Sequence, residues 1–261
     1  MTNEKVLQYA LPGCALAIAL AGWEAVVWIN DIPPVILPSP SRIAVTLYKD
    51  WHTLFGSLQV TLGITLEALL AATIGGSVLA VVFAQWQFVE RAFFPFAVIM
   101  QVTPVVSIAP LLLVYLSSSV AVLVCAFLVA FFPILANTAL GLSSVDHNLI
   151  DLFQMYRASR LRQLLWLRMP ASLPYFLGGL RIGGGLALIG AIVAEIAAGS
   201  AGQGAGLAFR IVESGYRLNI PRMFAALFLI SITGILIFIV LSALSFFLLR
   251  HWHDSARTRE S

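Results

Sequence analysis

The chain has 261 residues, of which 60% are hydrophobic and only 10% are charged, and its formal net charge is +3. This composition excludes a water-soluble globular domain. The charge-free segment 92–145 is long enough for two helical crossings of a bilayer, and no ten-residue strand-like alternation occurs. The sequence therefore predicts an all-α integral membrane protein, since helices satisfy their own backbone groups in lipid.

Six spans are predicted in chain order. They cover residues 11–29, 57–84, two crossings within 92–145 that turn at residues 117–119, 182–198 and 223–249. Ten of the 15 lysines and arginines lie on the side that holds both termini, so the positive-inside rule places the termini in the cytoplasm. The first span lacks a small-residue cleavage site, and we expect it to be retained.

A short helix is predicted after the first span. Four prolines between residues 33 and 40 forbid a regular helix there, and Ser39-Pro40-Ser41 then offers a cap with proline in the first turn. Apolar residues follow at four-residue intervals: Ile43, Leu47, Trp51 and Phe55. This pattern is typical of a helix lying in the membrane interface, and we favour a stiff spacer that rests on lipid or on neighbouring helices.

The prolines, small residues and cysteines of the spans each give a structural prediction. Prolines 104, 110 and 133 remove backbone hydrogen bonds and predict kinks. In the second span, a four-residue repeat of Gly63, Glu67, Ala71 and Gly75 predicts a closely packed face that turns Glu67 inward. Cys14 and Cys125 lie in separate spans, so we expect packing residues and no metal site.

The segment 151–174 is a basic island between the fourth and fifth spans. Asp146, just before this segment, and Asp151 come early and the arginines come later, which favours a short helix-turn-helix. Leucines 161, 164, 165 and 167 supply an apolar side, and Met169-Pro170 and Leu173-Pro174 are predicted to end the helix before the fifth span. A basic loop that only fixes topology would not need this pattern, so we favour a surface that docks another protein.

These residues resemble the coupling loop of permease subunits of binding-protein-dependent ABC importers. That pattern is Glu-Ala-Ala, three residues, Gly, and later Leu-Pro. Asp151, Leu152 and Phe153 fall on the triplet, Arg157 on the glycine, Ala158-Ser159 on the common Ala-Ser, and Met169-Pro170 on the Leu-Pro. The alanines and the glycine of the pattern are absent.

Two further segments are typical of the nitrate/sulfonate/taurine-type branch, which also includes permeases for thiamine pyrimidine precursors and riboflavin. They are Leu37-Pro38-Ser39-Pro40, and Ala194-Glu195 followed by the glycine-rich residues 199–206. The resemblance covers about residues 35–250.

The resemblance implies a type I importer permease: a single transmembrane domain over residues 1–261, with a cytoplasmic coupling loop at about 143–175. It implies a second permease copy, two ATPase subunits that hold ATP and Mg, an external binding protein and a bacterial inner-membrane location. The chain has no phosphate-binding loop, so we expect no catalytic residue in it. The ATPase-coupling residues would be Asp151, Leu152, Phe153, Tyr156, Arg157, Ala158, Ser159 and Arg160.

Candidate pathway residues are the polar groups of the spans, namely Glu67, Thr103, Asn137 and Glu195. Glu195 could be a gate or an interfacial residue, and Glu67 could equally be a packing residue. For Thr103 and Asn137, bonds between helices are favoured. Acidic span residues favour a neutral or cationic substrate such as a pyrimidine vitamin precursor, with sulfonate, nitrate or taurine as alternatives. An ion-coupled secondary transporter using Glu67 and Glu195 is the competing hypothesis.

Overall fold

The computed structural model describes residues 2–199 and 204–250, and this part of the chain contains helices and no strand. Five helices are long: α1 (Thr2–Ile29), α3 (Trp51–Gln85), α6 (Ser118–Ser143), α9 (Met169–Ala198) and α11 (Ile220–Leu249). Six are shorter: α2 (Pro40–Lys49), α4 (Gln87–Val102), α5 (Val105–Tyr115), α7 (His147–Met155), α8 (Arg160–Gln163) and α10 (Leu207–Tyr216). The all-α prediction is confirmed.

Five helices are long and apolar enough to cross a membrane, and the pair α4 and α5 gives a sixth span if it is counted as one crossing. That pair bends by 98° at a break that contains Pro104, which precedes α5 at its N-cap position and has no N–H to donate. Helices α5 and α6 instead continue through Pro110 and Pro133. The turn predicted at residues 117–119 is confirmed, since α5 ends at Tyr115 and α6 begins at Ser118.

Helices α6 and α9 form the centre of the bundle and approach each other closely. A Cβ added at Gly179 would lie 2.8 Å from the Pro133 carbonyl oxygen, and one at Gly190 would lie 2.9 Å from Ala126 Cα. Side chains larger than hydrogen would force the two backbones apart at both points. Small residues therefore set this spacing, as expected where helices associate inside lipid.

Helix α3 buries a different face from the predicted one. Its buried stripe runs through Ala68, Ala72, Gly76 and Ala80, and Glu67 is exposed on this chain. The prediction that Glu67 turns inward is therefore wrong. Residues 68–80 carry a second small-residue repeat one position further along, and a shift of one residue rotates a helical face by about 100°. Both repeats permit close packing, but the contacts that α3 makes with α6 and α9 bury the second repeat.

The interfacial helix is shorter than its apolar repeat. Ser39 caps α2, as predicted, and its hydroxyl accepts from the Arg42 N–H at 3.4 Å. The helix ends at Lys49, however, and Trp51 begins α3. Ile43 and Leu47 pack against a buried cluster that includes Leu54 of α3 and Ala225 of α11, so α2 rests on neighbouring helices.

The prolines after the basic island do not end a helix. Helix α8 passes through one π-turn, Leu164–Arg168, directly into α9. The Met169 N–H bonds the carbonyl of Leu164, five residues earlier, and this wider turn makes room for the ring of Pro170. The predicted stop is therefore wrong, and residues 160–198 form one continuous helical rod.

Candidate functional site

The two ends of the bundle carry different candidate sites. We call them the α7 end, where α7 and α8 lie, and the α10 end, where α2 and α10 lie. Helix α7, its turn and α8 (residues 147–163) together form what we call the α7 hairpin. All eight predicted coupling residues belong to this hairpin.

The start of α7 is fixed by a side-chain cap. The carboxylate of Asp146 accepts from the Asn148 N–H at 2.9 Å, and it satisfies a donor that the first helical turn leaves free. Ser159 caps α8 in the same way, with its hydroxyl accepting from the Arg162 N–H at 3.3 Å. Two caps thus place both arms of the hairpin.

The turn between the arms centres on Arg157, which has a left-handed backbone with φ of 51°. The Arg157 N–H bonds the Gln154 carbonyl at 2.8 Å, and the Ala158 N–H bonds the Phe153 carbonyl at 2.9 Å. This pair of bonds is the Schellman helix ending, whose left-handed position usually holds glycine. The glycine of the resembled motif thus coincides with a positive φ, and Arg157 adopts it against side-chain crowding.

The tip of the α7 hairpin is apolar and exposed. Met155 and Tyr156 are each 81% exposed, and Leu152 is 45% exposed. Arg157 and Arg160 are exposed beside them. Large apolar side chains ringed by charge, outside the span helices, are typical of a protein-binding surface.

The leucines of α8 and the π-turn divide between two sides. Leu164 and Leu167 are buried, whereas Leu161 and Leu165 are exposed. Leu164 packs with Phe83 of α3 and Leu142 of α6. The rod formed by α8 and α9 is therefore anchored in the bundle where it leaves the hairpin.

At the α10 end, Glu195 is buried, and each oxygen of its carboxylate accepts a hydrogen bond. Thr61 of α3 donates its hydroxyl hydrogen to Glu195 Oε1 at 2.7 Å, and the Ala208 N–H donates to Oε2 at 3.0 Å. The Leu207 N–H in turn donates to the Thr61 hydroxyl at 2.9 Å. We call these four residues the Glu195 network. It caps the first turn of α10 from two other helices, α3 and α9.

Gly206 permits this arrangement. A Cβ built on Gly206 would overlap the Glu195 carboxyl group. The backbone before α10 therefore approaches the carboxylate as closely as only glycine allows. A cavity of 250 Å³ lies beside the network, and its lining includes Val60, Ser118 and Glu195.

Helix α2 is held at its start by a similar carboxylate. Glu24 of α1 accepts from the Ser41 N–H at 2.9 Å and from its hydroxyl at 2.7 Å. Acidic groups thus lie at the amino-terminal ends of both short helices of the α10 end, where the helix dipole favours negative charge.

The α10 end also carries a network of charged side chains. Glu213 lies 2.9 Å from a guanidinium nitrogen of Arg210 and 2.9 Å from one of Arg217, and Arg210 also donates to the Ser57 hydroxyl. The hydrogen bond from Arg210 lowers the pKa of Glu213 below its ordinary value of 4.5. The charges of Arg210, Arg217 and Arg222 lower it further, against the opposing effect of burial.

The four predicted pathway residues do not form one cluster. Asn137 bonds the Pro133 carbonyl within α6 and lies against Gly179 of α9, roughly 24 Å along that helix from Glu195 at about 1.5 Å per residue. Thr103 bonds the Ile99 carbonyl at the break between α4 and α5. Glu67 lies on an exposed face of α3.

Sequence reasoning missed Thr61 and the arginine-glutamate group of α10. The spacing of Arg210, Glu213 and Arg217 could have predicted these ion pairs, since side chains three and four residues apart meet on a helix. Thr61 gave no such signal, because its partner is 134 positions away in the chain. Residues 200–203, in the middle of the glycine-rich segment 199–206, lie outside the described part of the chain.

Comparison with known proteins adds a consistent set of similarities. Residues 72–257 match the family described as binding-protein-dependent transport system inner membrane component. The chain is 32% identical over 220 residues to a probable ABC transporter permease protein of Haemophilus influenzae, covering 84% of this chain and 88% of the relative.

Two other relatives have named substrates. A riboflavin transport system permease protein of Chloroflexus aurantiacus is 32% identical over 252 residues, covering 92% of this chain and 89% of the relative. A formylaminopyrimidine transport permease protein of Halalkalibacterium halodurans is 36% identical over 222 residues, covering 83% of this chain and 86% of the relative.

Proposed function

Because the chain belongs to the binding-protein-dependent transport system inner membrane component family, we propose that it forms the translocation pathway of an ATP-driven importer. The match over residues 72–257 is the observation that carries this proposal. The chain is a transport permease and no enzyme in its own right. ATP and Mg would be held by a separate ATPase, and solute would be delivered by an external binding protein.

The α7 hairpin is the proposed ATPase contact. Its exposed apolar tip is suited to a groove on a partner, and Arg157 and Arg160 add charge at the rim. Because α8 continues into α9, a movement of the hairpin would be carried along a rod that ends beside the Glu195 network. The resemblance of residues 151–170 to the coupling-loop pattern supports the same assignment.

The membrane topology and the assembly of the protein are further parts of this proposal. We propose a bacterial inner-membrane location with the α7 end and both termini in the cytoplasm, since ten of the 15 basic residues lie on that side. Two copies of this chain would line a shared pathway. The α10 end would then receive the binding protein.

A matched pair of tyrosines tests the ATPase contact. Tyr156 at the α7 end is 81% exposed, and Tyr216 at the α10 end is 87% exposed. In the complete transporter, Tyr156→Asp should release the ATPase during co-purification, because it places a charge in an apolar contact. Tyr216→Asp should leave the ATPase bound. Equal retention of the ATPase by both variants would contradict the assignment, and transport driven by an ion gradient without ATP would favour a secondary transporter.

For the substrate, we propose a heterocyclic vitamin precursor of the pyrimidine type. The named substrates of two relatives, riboflavin and formylaminopyrimidine, are both heterocycles. Ligand-stimulated ATP hydrolysis by the reconstituted transporter and its binding protein would test this. Stimulation by a sulfonate, nitrate or taurine in place of the pyrimidine would overturn it.

A further inference from the structure

A polar cavity in the described part of the chain lies at the α7 end. Its volume is 690 Å³, within the range of about 300–1,000 Å³ typical of small-ligand sites. It opens where α3 ends and α4 begins, and α7 and α8 close its other side. The lining residues are Ala84, Gln85, Trp86, Gln87, Phe88, Ile150, Gln154, Arg160, Gln163 and Arg168.

The charge of this cavity is entirely positive. Arg160 and Arg168 contribute two guanidinium groups, and none of the lining residues is acidic. Among the residues that the structure describes, no carboxylate oxygen lies within 4.0 Å of either guanidinium group. Arg168 makes one long bond, at 3.4 Å, to the Ala84 carbonyl.

Four glutamine side chains complete the polar lining: Gln85, Gln87, Gln154 and Gln163. Their amide N–H groups can donate to an anion that the arginines attract. Gln163 already donates to the Ala158 carbonyl at 3.1 Å, which fixes its side chain at the wall. The cavity thus offers charge and several neutral donors, the combination that binds a phosphate group.

The residues around the cavity indicate which molecule would supply the phosphate group. Trp86 and Phe88 line the cavity and are 57% and 83% exposed, at the point where two membrane-spanning segments meet. Exposed tryptophan rings at the ends of spans mark the level of lipid headgroups, and Trp86 is such a ring. Basic pockets between membrane helices at this level bind anionic headgroups.

We propose that this cavity, lined by Arg160, Arg168 and four glutamines, is a binding site for a phosphate-bearing anion and that a lipid headgroup occupies it. The bound anion bridges the junction of α3 and α4 to the α7 hairpin. The bound anion thereby fixes the angle between the α7 hairpin and the junction of α3 and α4. That angle therefore depends on anionic lipid.

The test is lipid retention by the purified full-length chain, measured by native mass spectrometry with no ATPase present. Phosphatidylglycerol and phosphatidylcholine with identical acyl chains are the two lipid probes. We expect the wild-type chain to retain phosphatidylglycerol preferentially. Arg160→Gln and Arg168→Gln should each weaken that retention about fivefold, and the double variant roughly 25-fold, given the usual contribution of one basic residue near a membrane surface.

Matched variants separate this site from a generally basic surface. Arg162→Gln removes the same charge from the same short helix but does not line the cavity, so lipid retention should not change. Arg168→Lys keeps the charge and should restore most of the binding. Equal loss in Arg162→Gln and Arg160→Gln, or equal retention of both lipids, would overturn the proposal.

Inorganic phosphate distinguishes the source of the anion. If excess phosphate fails to displace phosphatidylglycerol, the headgroup assignment stands. If phosphate displaces it from the wild-type chain but has no effect on the double variant, the phosphate site stands and the lipid occupant is overturned. Since the isolated chain is used, this result is independent of the ATPase contact proposed above.

Discussion

Arg157 occupies a left-handed backbone position that usually holds glycine. The Schellman ending of α7 requires a left-handed residue, and a non-glycine side chain in that conformation costs on the order of 1 kcal/mol or more. Leu218, which follows α10, occupies the equivalent position with φ of 54°. The same turn therefore forms twice without glycine, because its two hydrogen bonds and the packing around it outweigh the local strain.

Arg157→Gly should therefore raise the thermal unfolding midpoint of the purified protein. Relief of the strain is partly offset by the greater freedom of glycine in the unfolded chain, so we expect a net gain of up to about 1 kcal/mol. Arg162→Gly, in the regular part of α8, is the control and should lower the midpoint. A lower midpoint for Arg157→Gly would contradict the interpretation.

Gly206 and Gly204 provide a second test at the level of single residues. A Cβ at Gly206 would overlap the Glu195 carboxyl group, whereas one at Gly204 meets nothing within 4 Å. Gly206→Ala should disturb the Glu195 network and lower the unfolding midpoint, with a cost of about 1–3 kcal/mol that is typical of overpacking. Gly204→Ala should have little effect. Similar midpoints for the two variants would show that the carboxylate can move aside freely.

At the scale of elements, α10 is stabilised by charge as well as by its cap. Glu213 is ionised between Arg210 and Arg217, and its pKa is held below the ordinary value mainly by the hydrogen bond from Arg210. A carboxyl group with a lowered pKa in the folded protein stabilises it fully above its unfolded-state pKa. That contribution is lost as pH falls through the lower, folded-state value.

We therefore expect the stabilising effect of Glu213 to be constant at neutral pH and to decline below its ordinary pKa of 4.5. The difference in unfolding midpoint between wild type and Glu213→Gln, measured as a function of pH, should shrink as the buffer becomes acidic. Added salt should reduce the difference at neutral pH, since Arg217 is largely exposed. A difference that grows toward acidic pH would contradict the assignment.

The elements were predicted from sequence more reliably than their ends. Five spans and the turn at residues 117–119 follow from the lengths of apolar segments, which are local properties. The continuation of α8 into α9 through Pro170 was not predictable, because it depends on a π-turn anchored by Leu164 and Leu167. The end of α2 at Lys49 was hidden because the apolar repeat continues into α3.

At the scale of the whole molecule, Glu67 marks a surface that this chain alone does not cover. A carboxylate facing lipid near the middle of a span is costly, so we expect the face of α3 that carries Glu67 to border the water-filled pathway of an assembled dimer. Ile235 of α11 is 58% exposed and lies in a helix segment without charged residues. It is expected to face lipid.

Cysteine accessibility in membranes tests this expectation. In a Cys14→Ser background, which removes the exposed native thiol, Glu67→Cys should react rapidly with a water-soluble maleimide, whereas Ile235→Cys should react slowly. Cys125 is buried and should not contribute. Equally slow reaction at both positions would place Glu67 in lipid or in a dry contact and would contradict a pathway role.

The sequence by itself determined the helical class, five of the spans and the basic hairpin with its family resemblance. Each of these depends on composition or on short motifs, which neighbouring residues specify without reference to distant ones. Only the tertiary structure decided which of two small-residue faces α3 buries, and that Thr61 and α10 engage Glu195. Those outcomes depend on pairings between helices far apart in the chain, and no local pattern carries that information.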